Sequence, residues 1–277
     1  MVNAFSPQEL TEALQIRRKT SAIPFAGGTN LMVIYKKWTG TVPCFPGPVL
    51  FLNRIRGFSE IRRQGADMVI AAGCTLSEIL KNPLVPEILR LAVKSIAAPA
   101  IRNIATLAGN ICHASPAGDA LPALYVMDAT VKLQSVSGER ILPLSAFITG
   151  PGQTVLKNDE LLTEIILPES QFDKIMFRKI GMRKANAVAK VSIAALASSE
   201  KSHLNDVRIA FGSLGPTVIR SEEIEKKVAG EKAAALTPAD IVRLYAPLLK
   251  PIDDQRSTAA YRKHVALNLL HKFLELI

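Results

Sequence analysis

The apolar positions change period several times along the chain. Leu10, Ala13 and Leu14 share one side of a helix predicted over residues 7–18. Ser6-Pro7-Gln8-Glu9 is its start signal: a serine cap, proline in the first turn and glutamate three residues on. Ile23-Pro24-Phe25 and Val49-Leu50-Phe51-Leu52 read as short buried strands. Val42–Pro48, with three prolines and Gly47, reads as a loop. Residues 67–72 are strand-like, and Thr75-Leu76-Ser77-Glu78 is a capping box that opens a helix. Helices are predicted over residues 87–95 and 120–127, with a short helical turn from Pro99 through Asn103. Thr130–Ser135 alternates as a strand, Ser137-Gly138 turns it, and Ile141–Leu144 follows. Leu161–Leu167 is a strand stopped by Pro168. Three more runs, 175–180, 187–197 and 207–213, look like an antiparallel sheet. Helices follow over 221–228, after a Thr237 cap, and over about 258–276. The pattern is α+β, with a first small subdomain ending near Asn53, a second over 54–170, and a separate module over 172–277.

Composition narrows the class. With 277 residues, 48% hydrophobic and 21% charged, the chain can bury a real core and is not a disordered one. No apolar run approaches the roughly 18 residues of a membrane span. The first five residues lack a basic region leading into an apolar core, so no signal peptide is expected and the predicted location is cytoplasmic. Cysteines stand at 44, 74 and 112, an odd number with no Cys-x-x-Cys. That argues against a disulfide framework, and against a zinc or iron–sulfur site built by this chain alone. The net charge is +10, and Lys174 to Lys190 carries six basic residues without an acid. A nucleic-acid surface would need aromatic platforms, and only Phe177 is near. A docking face, an anionic cofactor or a solvated face stay open for that cluster.

Two stretches carry candidate chemistry. Thr106-Leu107-Ala108-Gly109-Asn110-Ile111-Cys112-His113-Ala114-Ser115-Pro116-Ala117-Gly118-Asp119 puts hydroxyls, an amide, a small-residue turn and a carboxylate within fourteen residues. It reads either as a loop whose exposed N–H groups form an anion nest, or as a plain join with Asp119 capping the next helix. Pro24-Phe25-Ala26-Gly27-Gly28-Thr29-Asn30-Leu31 is a second glycine turn, and two such loops could hold both ends of one pyrophosphate. Neither a Gly-x-Gly-x-x-Gly fingerprint nor a Walker loop occurs, so a Rossmann site is not supported. His113 follows Cys112 in the first stretch; His203 is placed in a polar turn, and His264 and His271 on the last helix as surface or packing residues. No metal site is expected from the four.

Together, and with their spacing, these stretches resemble the FAD-binding subunits of the molybdenum hydroxylases, of xanthine dehydrogenase and carbon monoxide dehydrogenase type. That family reads roughly A-G-G-T-D in the first loop and T-I-G-G-N, then A-S-P-x-x-D, in the second. Here Asn30 stands where the acid is usual, and Ala108 where the first glycine is usual. The resemblance runs nearly end to end. It implies a two-subdomain FAD-binding fold of the PCMH type over 1–170, with FAD between the subdomains, and a C-terminal flavoprotein domain of carbon monoxide dehydrogenase type over 172–277.

Residue by residue, the resemblance maps Pro24, Phe25, Ala26, Gly27, Gly28, Thr29, Asn30 and Leu31 onto the first FAD loop, with N–H groups toward the pyrophosphate. Thr106 matches a hydroxyl bonded to a phosphate, and Gly109, Asn110 and Ser115 line the rest of that cradle. Ile111 and Cys112 match positions near the isoalloxazine, and Asp119 the carboxylate that binds the polar chain of FAD. Leu162 and Ile96 match apolar positions against the flavin or its adenine, and Lys179 a lysine at the pyrimidine end. The family often has Asp before Ile-Ala a few residues beyond that lysine, in contact with NAD; here Asn186-Ala187-Val188 replaces it. The implied activity is electron transfer from [2Fe-2S] centres on one partner chain, through FAD, to NAD or another acceptor. Hydroxylation would take place at a molybdenum cofactor on another partner chain. The alternative is a self-sufficient flavin oxidoreductase of the related fold acting on its own small substrate.

Overall fold

A computed structural model describes residues 3–36, 38, 40–200, 203–229 and 236–277. In chain order its elements are β1 (Ala4–Phe5), α1 (Leu10–Thr20), β2 (Ile23–Phe25), α2 (Leu31–Tyr35), β3 (Val49–Phe51), β4 (Ile61–Gln64), β5 (Asp67–Ala71), α3 (Leu76–Lys81), α4 (Glu87–Lys94), α5 (Pro99–Arg102), α6 (Leu107–His113), α7 (Ala120–Val126), β6 (Thr130–Ser135), β7 (Gly138–Pro143), α8 (Leu144–Phe147), β8 (Ile148–Gly150), β9 (Gln153–Thr154), β10 (Leu161–Leu167), β11 (Lys174–Ile180), β12 (Val191–Glu200), β13 (His203–Gly212), β14 (Ile219–Arg220), α9 (Glu222–Ala229), α10 (Pro238–Tyr245) and α11 (Ala259–Leu274). The α+β class read from the sequence is what the chain adopts. Among the described residues no helix is long and apolar enough to cross a membrane.

The elements gather into two compact units, neither continuous in sequence. The first takes residues 1–85, 98–113 and 129–168; the second takes 86–97, 114–128 and 169–277.

In the first unit, β1, β3 and β2 form a parallel sheet in that order. A five-stranded antiparallel sheet runs β4-β5-β10-β6-β7. Its middle strand β10 is buried at five of its seven positions, which is why Leu161–Leu167 reads as an apolar run. Helix α1 begins at Leu10, three residues later than expected, with Glu9 extended and no side-chain cap. The Gln8 carbonyl instead accepts from the Arg56 N–H at 2.9 Å, so the backbone ahead of the helix is bonded to a distant segment. Near the end of α1, buried Arg17 donates to the carbonyls of Ser21, Ala22 and Glu160. Burial lowers the pKa of its guanidinium. Strand β4 was missed because Ile61-Arg62-Arg63-Gln64 carries one apolar residue; it pairs with β5 through a turn at Gly65.

The second unit is built on an antiparallel sheet, β11-β12-β13-β14. Strand β12 begins at Val191, so residues 187–190, expected inside it, lie in the preceding loop. His203 heads β13 rather than sitting in a turn. Alternate residues face opposite ways, and both faces of the sheet are covered. Val191, Ile193, Ala195, Val207, Ile209 and Phe211 pack with α9, α10 and α11 through Ile224, Tyr245, Leu270 and Phe273. The other side meets α4 and α7. Every residue of α7 is buried. At Gly212 an added Cβ would sit 2.4 Å from Ser192 Oγ and 3.0 Å from Pro122 of α7, so glycine leaves room for both the neighbouring strand's hydroxyl and the close approach of the helix. The last carbonyls of α7 are met by arginines of the sheet: Arg220 donates to Tyr125 O and Arg208 to Val126 O, and both pair with Asp128. Cations at a helix C-terminus also complement its dipole.

Because α4 and α7 cover one face of the second sheet, residues 169–277 alone carry only half of its packing. That fragment is expected to lack a cooperative thermal transition and to bind a hydrophobic dye. Adding residues 86–128 in one chain with it is expected to suppress dye binding. A fragment 169–277 with a sharp melt would contradict this packing.

Candidate functional site

The first glycine turn lies in the first unit, between β2 and α2. Leu52 N–H bonds to Phe25 O at 3.0 Å and fixes the strand end from which it leaves. An added Cβ on Gly27 would stand 1.9 Å from Ile104 O, so the turn rests directly on the backbone ahead of α6. Gly28 has φ +67°, and a Cβ there would meet the Phe25 ring at 2.0 Å. That ring packs on Phe51 and Phe45, with centroids 5.0 and 6.2 Å away. The carbonyls of Gly28 and Asn30 accept from the first turn of α2. Among the described residues nothing accepts from the N–H groups of Gly27, Gly28, Thr29 and Asn30. Four consecutive open donors suit an anion with several oxygens.

The stretch after Thr106, expected to be a loop, forms helix α6. Thr106 Oγ1 accepts from Gly109 N–H at 3.0 Å, an N-cap bond, and Leu107, Ala108 and Ile111 are buried at helical spacing. Two small residues in succession concealed that period. The hydroxyl of Thr106 can still donate while accepting this bond. Segment 104–107 is fixed from the other side by Leu76 N–H to Ala105 O at 2.8 Å. Asn110 Oδ1 is buried with no partner among the described residues. Burial pushes the Cys112 thiol up to about 12, and partial desolvation of the surface-lying His113 ring lowers its pKa, so the neutral form of each is favoured at pH 7. Asn30 Nδ2 meets His113 Nδ1 at 3.0 Å. Ile111 is fully enclosed and Leu162, on β10, nearly so.

In the second unit, Asp119 sits at the start of α7 but does not cap it. Its Oδ2 takes a 2.6 Å bond from Lys179 Nζ, which also donates to Ser95 O at 3.0 Å. Both side chains are about nine-tenths buried. Burial raises the Asp119 pKa to about 6 against the opposing pull of Lys179. Asp119 Oδ1 is buried and unpartnered among the described residues. Ser115 Oγ accepts from Ala117 N–H at 3.3 Å and so holds its own turn. Ile96 follows α4 next to Ala97, whose carbonyl accepts from Asn186 N–H at 3.2 Å. Ser95 was not foreseen, because a backbone carbonyl leaves no signature in a sequence. Among the described residues no three His, Cys, Asp or Glu side chains gather as a metal site.

Residues 1–170 match the family described as the FAD binding domain in molybdopterin dehydrogenase, and residues 176–277 the CO dehydrogenase flavoprotein C-terminal domain. The chain is 28% identical to the glyceraldehyde dehydrogenase medium chain of Sulfolobus acidocaldarius, over 98% of this chain and 95% of that one. It is 30% identical to caffeine dehydrogenase subunit beta of a Pseudomonas species, over 94% and 89%. A crystal structure of the Cu,Mo-CO dehydrogenase in its cyanide-inactivated form is similar at a TM-score of 0.89 and 26% identity, covering 99% of this chain and 96% of that one.

The Asp119–Lys179 pair gives a pH test. Replacing Lys179 with alanine leaves a buried carboxylate without its counter-charge, which costs about 3 kcal/mol while that carboxylate is ionised. Asp119 has a folded pKa above its usual 3.8, and losing the lysine raises it further. Protonated Asp119 needs no counter-charge, so the deficit is lost as pH falls through that pKa. Lys179→Ala is therefore expected to lower Tm strongly at pH 8 and much less at pH 5. An equal deficit at both values would show that the two groups are not paired.

Proposed function

We propose that this chain, which belongs to the family of FAD-binding subunits of molybdenum hydroxylases, passes electrons from [2Fe-2S] centres on a partner chain through FAD to a final acceptor such as NAD. On this reading a third chain holds the molybdenum cofactor and performs the hydroxylation. The observation that carries the site is the row of four open N–H donors from Gly27 to Asn30 beside α6. Three cysteines are too few for two [2Fe-2S] clusters, which take about eight thiolates, so those centres belong to another chain.

FAD fits the residues present. In the first unit, the N–H groups of Gly27, Gly28, Thr29 and Asn30, the Thr106 hydroxyl, Gly109 and the unpartnered Asn110 Oδ1 are the proposed polar contacts. Pro24, Phe25, Ala26, Leu31 and Cys112 supply apolar surface around them, whereas Ile111 and Leu162, expected against the flavin, are enclosed by the protein itself and offer it almost none. In the second unit, Ser115, Asp119, Ile96 and Lys179 are the proposed contacts. The free Oδ1 of Asp119 can accept a hydrogen bond from a hydroxyl while Oδ2 stays with Lys179. The Lys179 ammonium is positioned by two bonds and favours negative charge on the group it faces. Bound FAD supplies the redox chemistry, accepting electrons singly or in pairs. Burial keeps the Cys112 thiol protonated at physiological pH, so it is not a thiolate nucleophile.

Two outcomes are expected. The purified chain should show a flavin absorption spectrum yet turn over no xanthine, nicotinate, aldehyde or carbon monoxide with an artificial dye. Activity should appear only on co-expression with an iron–sulfur chain and a molybdenum chain. Turnover by the chain alone would mean a self-sufficient flavoenzyme.

Gly28→Ala should lose most of its FAD, because its backbone is left-handed and its Cβ meets Phe25. Gly65→Ala has the same backbone strain, of about 1 kcal/mol, with nothing within 4 Å of the added Cβ, and should retain FAD. Equal FAD content in the two variants would move the cofactor away from the Gly27–Asn30 turn.

A further inference from the structure

We propose that His113 is a positioning residue for the FAD cradle: its Nδ1 accepts a hydrogen bond from Asn30 Nδ2 and so pins the open end of the Gly27–Asn30 turn to the far end of α6. The proposal rests on the assignment of that turn to FAD. The turn is attached to the second segment at two points. Gly27 touches the backbone ahead of α6, where Ile104 O leaves no room for a Cβ. Asn30 reaches the last residue of the helix, 83 positions away in sequence, at 3.0 Å. The four open N–H groups lie between these anchors. Without the second anchor the Asn30 end stays bonded to α2 but loses its tie to α6, and the donors near it can splay away from that helix.

The roles of the two side chains follow from their chemistry. An amide nitrogen only donates, so the ring nitrogen it meets must carry a lone pair. A neutral imidazole has one such nitrogen, and partial desolvation of the His113 ring lowers its pKa from the ordinary value, which favours that neutral form at pH 7. With Nδ1 accepting, the ring proton sits on Nε2. A carboxylate at position 30 could only accept, and would demand a proton on Nδ1 instead. Asn30 therefore selects one tautomer of His113, and the bond joins the two stretches without adding charge beside the cradle. The exposed position of His113 means that changing it removes this bond without opening the core.

The test uses the full chain stripped of FAD and titrated with it, together with a magnetic resonance readout that needs no FAD. His113→Ala and Asn30→Ala are expected to weaken FAD binding by about five- to tenfold, the scale of one hydrogen bond. The double variant should be no weaker than either single one, because both remove the same bond. His113→Asn should bind like the wild type, since its amide oxygen stands where Nδ1 stands. His113→Gln, whose amide reaches the Nε2 position, should behave like His113→Ala. In chain labelled with ¹⁵N histidine at pH 7, His113 Nδ1 should appear unprotonated, and protonated in Asn30→Asp. Wild-type affinity in both alanine variants, additive losses in the double variant, equal behaviour of the Asn and Gln variants, or a protonated Nδ1 in the wild type would each overturn the proposal. If Gly28→Ala also keeps full affinity, the FAD assignment of the turn fails, while the resonance of Nδ1 still decides whether the bond to Asn30 exists.

Discussion

One ammonium holds the second unit together. That unit is assembled from three stretches of chain, and Lys179 touches all of them: it lies on β11, pairs with Asp119 ahead of α7, and donates to Ser95 O at the end of α4. Burying two opposite charges costs several kcal/mol per ion, which close contact must offset, so such a pair adds little stability of its own. Its effect is on position. Helix α7 is apolar on every side and could slide on the sheet without losing hydrophobic burial. Asp119 at its start and Asp128 just past its end, each bound to a basic residue of the sheet, remove that freedom. Gly212 then sets how deeply it lies.

Much of this architecture could be read in the sequence, because it rests on local rules. The capping box at Thr75 and Glu78 forms as expected, and so does the cap at Thr237, with Asp240 completing a second box. The three expected strands of the C-terminal sheet pair antiparallel, with β12 in the middle, where residues 191–197 are buried on both faces and apolar except for Ser192. Failures came where a distant partner overrode a local signal. Ser6 and Glu9 spell a helix start, yet the Gln8 carbonyl is bonded to Arg56 and the helix waits until Leu10. Ala108 and Gly109 looked like a turn, but the buried stripe of Leu107, Ala108 and Ile111 and the Thr106 cap make a helix.

Legibility of the site follows the same division. Gly27 and Gly28 stood out as a turn, and the structure supplies the reasons: a backbone contact at one and a left-handed conformation at the other. Asp119 and Lys179 were each picked out for a separate role, and their pairing became visible only in three dimensions. Asn30 stood out as a departure from the family's usual acid, and His113 as the neighbour of Cys112 with no metal site expected of it. Residues 83 apart in sequence cannot be matched by spacing, and here each supplies what the other needs. Chemistry within one element is written in the sequence, whereas chemistry shared between elements is written in the packing.

The weaving of the chain through its two units also has a consequence in time. A ribosome adds roughly 5–20 residues per second. Helix α7 is complete at Val126, whereas the last residue of the strand it packs against, Gly212, is 86 positions further on. For on the order of 5–15 s a wholly apolar helix exists without its sheet. The amphipathic α4, complete at Lys94, waits a comparable time for β11, which ends at Ile180. The nascent chain is therefore at its most adhesive midway through synthesis, and a slower stretch of translation there would lengthen its exposure to chaperones and to other unfinished chains.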